Sequence, residues 1–294
     1  AKLGDFRMEF TDLSLPLNGI PVQISRIYDT KDSATSGDFG YGWSMGIRDA
    51  RIRETVPAGS TLVPDMSKVY LTAPDGTRVG FTYKEKLLNA FPFGLGAMWE
   101  PYFVADAGHN YKLSTPSDPQ SSRGGILGAL GGEGINPSHY RLTTPEGMIY
   151  DYDQNEGLKK ITDPSGNTVT FTANAIVHSG GRSIGLERDG QGRITAVTLP
   201  NGEVTLRYRY DSRGDLVEVR QITETTPTEK SLLTTLSYKA NRPHYLDESI
   251  DPNGNRAMKL EYDPVTGRLK GVTDGNGNTS TQEFDPANFT ETVR

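Results

Sequence analysis

The sequence predicts an all-β fold in which successive antiparallel β-hairpins form a curved or spiralling sheet. The 294 residues include 33 Gly and 18 Pro, so Gly exceeds its usual share of about 7% and turns should be frequent. Asn-Gly and Asp-Gly pairs recur along the chain, and such pairs supply the positive φ angles of tight hairpin turns. Leu206, Tyr208 and Tyr210 alternate with arginines, which is the pattern of a half-buried strand.

A repeat is visible in four segments, 153–167, 189–202, 211–219 and 263–278. In each, an Asp is followed within a few residues by Gly, and then by two apolar residues three positions apart. Tyr precedes the Asp in three of them, and Phe-Asp at 284–285 begins a candidate further unit. Such self-similarity predicts a tandem array of one structural unit. The repeat positions are Tyr152, Asp153, Gly157, Leu158, Ile161, Tyr210, Asp211, Gly214, Leu216, Val219, Tyr262, Asp263, Gly267, Leu269 and Val272.

The apolar pairs of the repeat, such as Leu216 and Val219, break the strict alternation of a strand. Either a helix or a strand with a bulge would explain a spacing of three. Gly, Pro and β-branched residues crowd these windows, which disfavours a helix. We therefore expect a bulge or bend in each repeat, which would also curl the sheet.

The segment 274–278 contains a candidate cation site, because Asp274, Asn276 and Asn278 imitate the first half of a calcium-binding loop. A complete loop would continue with Gly and end with Glu, where this chain has Thr279 and Asp285. Asp and Asn side chains also cap turns by accepting hydrogen bonds from nearby backbone N–H groups. Turn chemistry is therefore the favoured interpretation.

Charge and composition argue against several classes of protein. The net charge of −6 disfavours nucleic-acid binding. No apolar run approaches the roughly 20 residues that a membrane-spanning helix needs, and the first residues lack the features of a secretory signal, so we expect a mature product or a fragment. Cysteine is absent, which excludes disulfides and thiolate metal sites.

We predict no catalytic residue, no metal site and no cofactor, and hence no enzyme. Acidic residues recur at equivalent turn positions, and repetition of this kind produces a scaffold rather than one active site. The histidines form no metal-binding or catalytic motif with one another. They are His109, His139, His178 and His244.

Two further features have a functional and a structural interpretation. Arg213-Gly214-Asp215 spells an integrin-binding tripeptide, but its residues also fit the repeat, so chance spelling is favoured. Trp43, Trp99 and Phe103 are candidate interaction aromatics, since exposed rings can stack on sugars or partners. Packing in a local core is the alternative for each ring.

The chain is expected to form one continuous structural unit with three segments. Residues 1–83 form an N-terminal segment, and 84–139 form an irregular insertion rich in Gly and aromatic residues. Residues 140–294 form the hairpin array. We expect the insertion to pack and to be followed by a mobile or covered loop, because 121–134 is rich in Gly.

The Tyr-Asp…Gly…Leu…Val…Asp-Pro…Gly-Asn pattern resembles the YD repeat of the RHS family and its teneurin relatives. The segments TDLSLPLNGIPVQISRIYDT (11–30) and GDFGYGWSMG (37–46) are similar to the stretch that opens the repeat region in bacterial RHS proteins. The resemblance covers residues 5–53 and about 140–294. A shell-closing segment, the self-cleavage motif and a toxin domain are not recognisable here.

The resemblance implies a non-enzymatic piece of a secreted or surface bacterial protein, in which hairpins form the wall of a β-shell. Its partners would be a polypeptide cargo such as a toxin domain, or the rest of the same protein. Unpaired sheet edges would favour self-association. The alternative is a cell-surface adhesion or carbohydrate-binding module with a glycan or surface partner. Neither interpretation involves nucleic acid or a membrane span.

Overall fold

The fold was analysed in a computed structural model that describes residues 5–46, 52–57, 60–72, 77–93, 95–116, 121–123, 135–225, 228–285 and 290–294. Their regular secondary structure consists of β-strands and one 3₁₀ helix, Thr30–Asp32, so the all-β class and the antiparallel hairpins are confirmed. The first thirteen strands are β1 Arg7–Leu17, β2 Ile20–Asp29, β3 Ser36–Gly37, β4 Gly40–Tyr41, β5 Trp43–Met45, β6 Arg53–Glu54, β7 Lys68–Thr72, β8 Arg78–Phe91, β9 Gly96–Ala105, β10 Lys112–Ser114, β11 Ser121–Arg123, β12 His139–Thr143 and β13 Ile149–Asp153. The others are β14 Gly157–Thr162, β15 Thr168–Phe171, β16 Ala175–His178, β17 Ser183–Arg188, β18 Ile194–Thr198, β19 Val204–Tyr210, β20 Leu216–Glu224, β21 Lys230–Tyr238, β22 Leu246–Ile250, β23 Arg256–Tyr262, β24 Leu269–Asp274, β25 Thr279–Asp285 and β26 Thr290–Val293.

The chain divides into two compact units. The first contains Ala1–Gly46, Ala173–Ile176 and Arg182–Arg294, and the second contains Ile47–Thr172 and Val177–Gly181. The N-terminal 46 residues thus belong with the later hairpins rather than with the segment that follows them.

In the first unit, β17 to β26 pair antiparallel in chain order, so each strand lies between its neighbours in sequence. Residues 7–45 form a separate sheet of order β1–β2–β5. We call residues 5–45 the opening segment. Its first turn is Asn18-Gly19, with φ angles of 48° and 92°, as expected for a tight hairpin turn.

In the second unit, strands pair in the orders β11–β9–β8–β7–β6 and β10–β12–β13–β14–β15. The residues expected to form an irregular insertion include the long hairpin β8–β9, so the structure is more regular here than the sequence indicates. Alternation does not mark this hairpin, because Lys86 to Ala90 are exposed on both faces of the strand. Of the predicted mobile or covered loop at 121–134, Ser121–Arg123 form strand β11, and 124–134 lie outside the described residues.

The predicted bulge is present in the repeats. The strand register shifts immediately before Tyr152, Tyr210 and Tyr262. In the middle repeat, Tyr208 and Tyr210 are two residues apart, but they pair with Val219 and Leu216, which are three apart. Strand β20 thus has one extra residue opposite β19. This bulge explains why Leu216 and Val219 are three residues apart, and it keeps both side chains on one face of the sheet.

Several of the hairpin turns are closed by an aspartate side chain. In the turn after β24, Asp274 Oδ1 accepts the backbone N–H groups of Asn276 and Asn278 at 2.9 and 2.8 Å. The turn after β22 repeats this arrangement with Asp251, Asn253 and Asn255. Such bonds favour the charged carboxylate. They lower the pKa of four turn aspartates. The leading donor is the Asn167 side chain for Asp163, the Asn255 N–H for Asp251, the Thr266 N–H for Asp263 and the Asn278 side chain for Asp274.

We predict that these turns make the fold sensitive to acid. Folding lowers the pKa values of these carboxyl groups. Their contribution to the stability of the fold is therefore complete above the unfolded carboxyl pKa of about 3.9, and it is lost as the pH falls through the lower folded pKa values. The urea midpoint of the wild type should therefore fall steeply below about pH 4. The urea midpoint of the double variant D251N/D274N should fall less than that of the wild type when the pH is lowered from neutral to below about 4.

Glu261 provides the control for this experiment. It is exposed and makes no described turn hydrogen bond, so E261Q should keep the acid sensitivity of the wild type. If D251N/D274N and E261Q respond to acid alike, the turn carboxylates are not the source of the effect.

Candidate functional site: the junction between the opening segment and the hairpins

The functional candidate is a polar and aromatic junction where the opening segment packs on the hairpins of the first unit. Trp43 lies at its centre and is only 1% exposed. Its ring packs against Tyr28 and Phe10, with centroid distances of 5.1 and 5.7 Å. Its indole N–H donates to the Tyr238 hydroxyl at 2.8 Å. Trp43 therefore packs within the opening segment and joins it to the hairpins through a hydrogen bond.

The Tyr238 hydroxyl also donates to the Leu216 carbonyl of an earlier hairpin, at 2.9 Å. Tyr210 donates in the same way to Ile194, and Tyr262 to Leu246. Burial raises the pKa of these three hydroxyls above the ordinary value, so they remain protonated donors. We call this set, Tyr210, Tyr238 and Tyr262, the tyrosine ladder.

Glycines allow the opening segment to approach the hairpins closely. Gly40 has a φ of +88°, and a Cβ atom there would lie 2.4 Å from the Gly214 carbonyl oxygen. At Gly42, a Cβ atom would lie 2.8 Å from the Tyr28 ring. A distance this short excludes any side chain without a shift of backbone or ring. The contact at Gly40 explains the close approach to the hairpins, and the contact at Gly42 explains close packing within the opening segment.

Tyr28 extends the junction to the turn between β21 and β22. Its hydroxyl donates to the His244 carbonyl at 2.8 Å and accepts the Leu246 N–H at 2.9 Å. Both backbone groups are thereby satisfied by one buried side chain from the opening segment.

A buried ion pair lies beside Trp43. Arg26 donates from Nε and Nη2 to the Asp12 carboxylate at 2.5 and 2.8 Å, and the Tyr208 hydroxyl donates to the same carboxylate at 2.8 Å. The guanidinium lies over the Trp43 ring, 5.1 Å from its centroid. Sequence patterns did not identify Arg26 or Asp12, because nothing in their spacing indicates that they meet Tyr208.

The remaining part of the junction is a His–Asp pair. His244 Nδ1 lies 2.7 Å from Asp215 Oδ1, and the side chain of Asp215 is fully buried. The His244 ring stacks on Tyr41 of the opening segment, with 3.9 Å between centroids. The Arg213-Gly214-Asp215 tripeptide therefore does not present its carboxylate to solvent, which supports the interpretation as chance spelling.

Of the three candidate interaction aromatics, Trp43 is the one that belongs to the junction. Trp43 has no exposed ring face with which to stack on a sugar. Trp99 and Phe103 lie half-buried in the second unit, on β9. The carboxylate of Asp274 already accepts backbone N–H groups and, at 3.0 Å, the Asn278 side-chain amide. No group of three or more metal-ligating side chains occurs among the residues that the structure describes.

The repeat positions divide by burial. Their side chains are buried at Tyr152, Leu158, Ile161, Leu216, Val219 and Leu269, and half-buried at Tyr210, Tyr262 and Val272. Tyr238 was not predicted from the sequence, although it occupies the same register position at a bulge and pairs with Leu246. Lys239 follows it in place of Asp, which hides the repeat, although the Tyr itself was a usable signal.

Family models match two parts of the chain. Residues 188–227 match the RHS repeat, and residues 1–81 match a domain of unknown function, DUF6531. The first match covers β18 to β20, including Tyr210 and Asp215. The chain thus carries RHS-repeat sequence, which confirms the predicted resemblance to the RHS/YD-repeat family.

Comparison with solved structures gives similarities at low identity. A crystal structure of TcdB2-TccC3-TEV matches 97% of this chain at 13% identity with a TM-score of 0.33, and the chain spans 14% of that protein. A porin-like protein from Bacteroides uniformis matches 80% of the chain at 9% identity with a TM-score of 0.27, over 92% of its own length. Comparison with curated proteins gives no match. Within the described residues, no helix has the length and apolar character needed to cross a membrane.

We predict that Gly40 tolerates no side chain. G40A should lower the free energy of unfolding by about 1–3 kcal/mol more than its control, because the new methyl group meets the Gly214 carbonyl. The control is G192A, since Gly192 has a similar φ of +82° but nothing within 4 Å of its added Cβ. Urea titrations of both variants test this, and equal losses would show that the close approach is unimportant.

The tyrosine ladder gives a second prediction. Y238F removes the donor to Leu216 and the acceptor for Trp43, so it should cost about 1–3 kcal/mol in unfolding free energy. Y150F is the control, because Tyr150 is half-buried and its hydroxyl makes no described hydrogen bond; about 0.5 kcal/mol or less is expected. A Y238F protein as stable as Y150F would contradict a stabilising role for the ladder.

Proposed function

We propose that this chain forms part of the wall of an RHS-type β-shell that encloses or shields a polypeptide cargo, such as a toxin domain. The observation that carries the proposal is the RHS-repeat match at 188–227, which lies inside an unbroken series of antiparallel hairpins. The role is structural and non-enzymatic. It acts by confinement, because a continuous sheet leaves few gaps through which a protease or solvent-borne partner reaches the cargo.

The opening segment would cap the start of this wall. Phe39 packs on Tyr208 at 4.8 Å between centroids, and Trp43 and Tyr28 bond to later hairpins, so the segment covers the apolar face of β19 to β22. In the proposed organisation, residues 1–83 open the shell, 84–139 are inserted and 140–294 continue the wall.

Further strands would extend the wall at its other end. Leu269 on β24 is buried, but the described side chains of β25 are exposed or half-buried. The outer edge of β26 pairs with no strand in the described part of the chain. We propose that this edge pairs with the rest of the same protein or, in its absence, with a second copy. The whole protein is proposed to act outside the bacterial cell or on its surface.

An adhesion or glycan-binding role is the second candidate. It is favoured by exposed apolar side chains on the β8–β9 hairpin. Phe93 at its tip is 97% exposed, and Leu87, Leu88, Tyr102 and Val104 are also exposed. Exposed apolar groups in this number are typical of interaction surfaces. Trp99 and Phe103 on the same hairpin would contribute partly exposed rings.

The shell proposal predicts protease resistance of the cargo in the full-length gene product. The cargo should be digested at least about 10-fold more slowly inside the full-length protein than as an isolated domain, because digestion then requires opening of the shell. W43A should speed digestion of the enclosed cargo, since it removes the ring and the N–H at the centre of the junction.

The matched variant is W99A, in the other unit, which should leave protection unchanged. Equal digestion of enclosed and isolated cargo would contradict the shell proposal. Glycan-array binding that is lost in W99A would instead favour the adhesion role.

A further inference from the structure

The outer half of the β8–β9 hairpin, in the second unit, is apolar in a way that a wall strand does not require. The sequence from Leu87 to Trp99 contains no charged residue, and charged residues flank it on both strands, at 84–86 and at Glu100. Large apolar side chains are exposed along this hairpin and its turn, at Leu87, Leu88, Phe93, Leu95, Tyr102 and Val104. Such a concentration is typical of a surface that an apolar partner covers.

The exposed side chains lie on both faces of the hairpin. Leu87 pairs directly with Trp99, and the two share the face that continues to the buried Tyr83. Tyr102 and Val104 point to the opposite face, since they stand three and five residues from Trp99 on the same strand. A folded protein partner would cover one face of a two-stranded hairpin, whereas a hydrocarbon layer surrounds both.

The end of the hairpin extends beyond the third strand of its sheet. Within the described residues, β11 pairs with β9 only at Ala97, Met98 and Trp99. We call residues 90–93 and 95–97 the hairpin tip. Three residues separate Ala90 from Phe93, so the tip projects about 10 Å past β11 at the usual rise of about 3.4 Å per residue. This length matches the depth of about 5–10 Å to which interfacial segments enter a bilayer.

Phe93 has a backbone conformation that folding alone does not favour. Its φ is 58°, in the left-handed region that Gly and Asn adopt more readily than aromatic residues. Its side chain is 97% exposed, so packing does not offset the unfavourable backbone. Strained residues of this kind cluster at functional positions.

Backbone groups of the turn are partly satisfied within the hairpin tip. Pro92 has no N–H to leave unpaired, and the Leu95 N–H donates to the Pro92 carbonyl at 3.3 Å. Strand pairing continues to Phe91 and Gly96. Because unpaired backbone groups are costly in hydrocarbon, this pairing favours shallow burial of the tip.

We propose that the hairpin tip is a lipid anchor, which inserts into the interfacial layer of a bilayer and holds the protein on a membrane surface without crossing it. Phe93 and Leu95 enter the acyl region, and Trp99 lies at the level of the headgroups, where Trp is favoured. The charged residues 84–86 and Glu100 stay outside the hydrocarbon. Anchoring is separate from the wall function, so either can fail without the other.

Apolar burial drives this binding, and charge contributes little. The net charge of the chain is −6, residues 84–86 and Glu100 include two Lys and two Glu, and Lys84 is paired with Asp65 at 2.6 Å. The flanks of the hairpin therefore offer little attraction to anionic lipid. Binding should persist with zwitterionic lipid and at high salt, because salt screens charge attraction but does not weaken apolar burial.

Flotation of the full chain with phosphatidylcholine vesicles in about 0.5 M NaCl tests the proposal. The unsubstituted chain should float with the vesicles. F93N should lower its partition coefficient at least about 10-fold, because the ring that enters the acyl region is lost. The urea midpoint of F93N should rise, since Asn adopts a φ of 58° more readily than Phe. This variant therefore separates loss of binding from loss of folding.

The matched control is M66N. Met66 is 79% exposed and belongs to the same unit, but it lies outside the hairpin, so M66N should float like the unsubstituted chain. The proposal is overturned if the unsubstituted chain does not float, or if F93N floats as well as M66N. Self-association or glycan binding that F93N abolishes, without vesicle binding, would also overturn it and would assign the tip to that partner instead.

Quenching of Trp99 fluorescence gives a second measurement. The chain has 2 Trp, and the other, Trp43, is only 1% exposed. Vesicles with bromine on their acyl chains should quench the emission of the unsubstituted chain, and W99F should lose this quenching. Equal quenching in W99F would place the lipid contact away from the hairpin and overturn the proposal.

Discussion

The first unit depends on one recurring interaction, the hydrogen bond from a buried tyrosine hydroxyl to a carbonyl of an earlier hairpin. The bulge before each tyrosine turns its ring onto the apolar face of the sheet, and the hydroxyl then reaches the backbone where the earlier hairpin begins its return strand. The ladder joins strands that also pair through their backbones, β18 with β19, β20 with β21 and β22 with β23. It adds a side-chain hydrogen bond on the covered face to a carbonyl that lies before the first paired residue of the earlier strand, where a carbonyl without a donor would be costly.

The opening segment uses the same ladder. Trp43 donates to Tyr238, and Tyr28 bonds to the backbone at His244 and Leu246, next to the carbonyl that accepts from Tyr262. The segment is thus held by groups that also hold the hairpins together. A buried polar network with its partners in place specifies one arrangement far more narrowly than apolar contact does. This explains how a segment distant in sequence docks at one position on a repetitive surface, where apolar packing alone would fit several registers.

Local features of the fold were predictable from sequence, and long-range partners were not. Turn residues and strand alternation predicted the hairpins, and the spacing of Leu216 and Val219 predicted the bulge. The β8–β9 hairpin was not recognised, because a strand exposed on both faces carries no alternation. The pairs Arg26–Asp12 and His244–Asp215 were also missed. Each joins residues from separate elements, and a single sequence shows which face a side chain occupies but not what lies opposite. For this reason the sequence placed Asp215 in the repeat turn without identifying His244 as its partner.

Asp211 and Asp215 show how position decides the chemistry of one residue type. They stand in the same turn, and Asp211 accepts the backbone N–H of Asp215 at 2.9 Å. Asp211 receives several such bonds at the surface, which outweigh the effect of its partial burial and lower its pKa. Asp215 is turned inward, where burial raises the pKa. The repeat needs only the first aspartate to close its turn. The side chain of the second makes no hydrogen bond within the turn, and its buried carboxylate instead lies 2.7 Å from His244 Nδ1. A repeat unit can therefore acquire a junction-specific function at a position that the repeat itself leaves unconstrained.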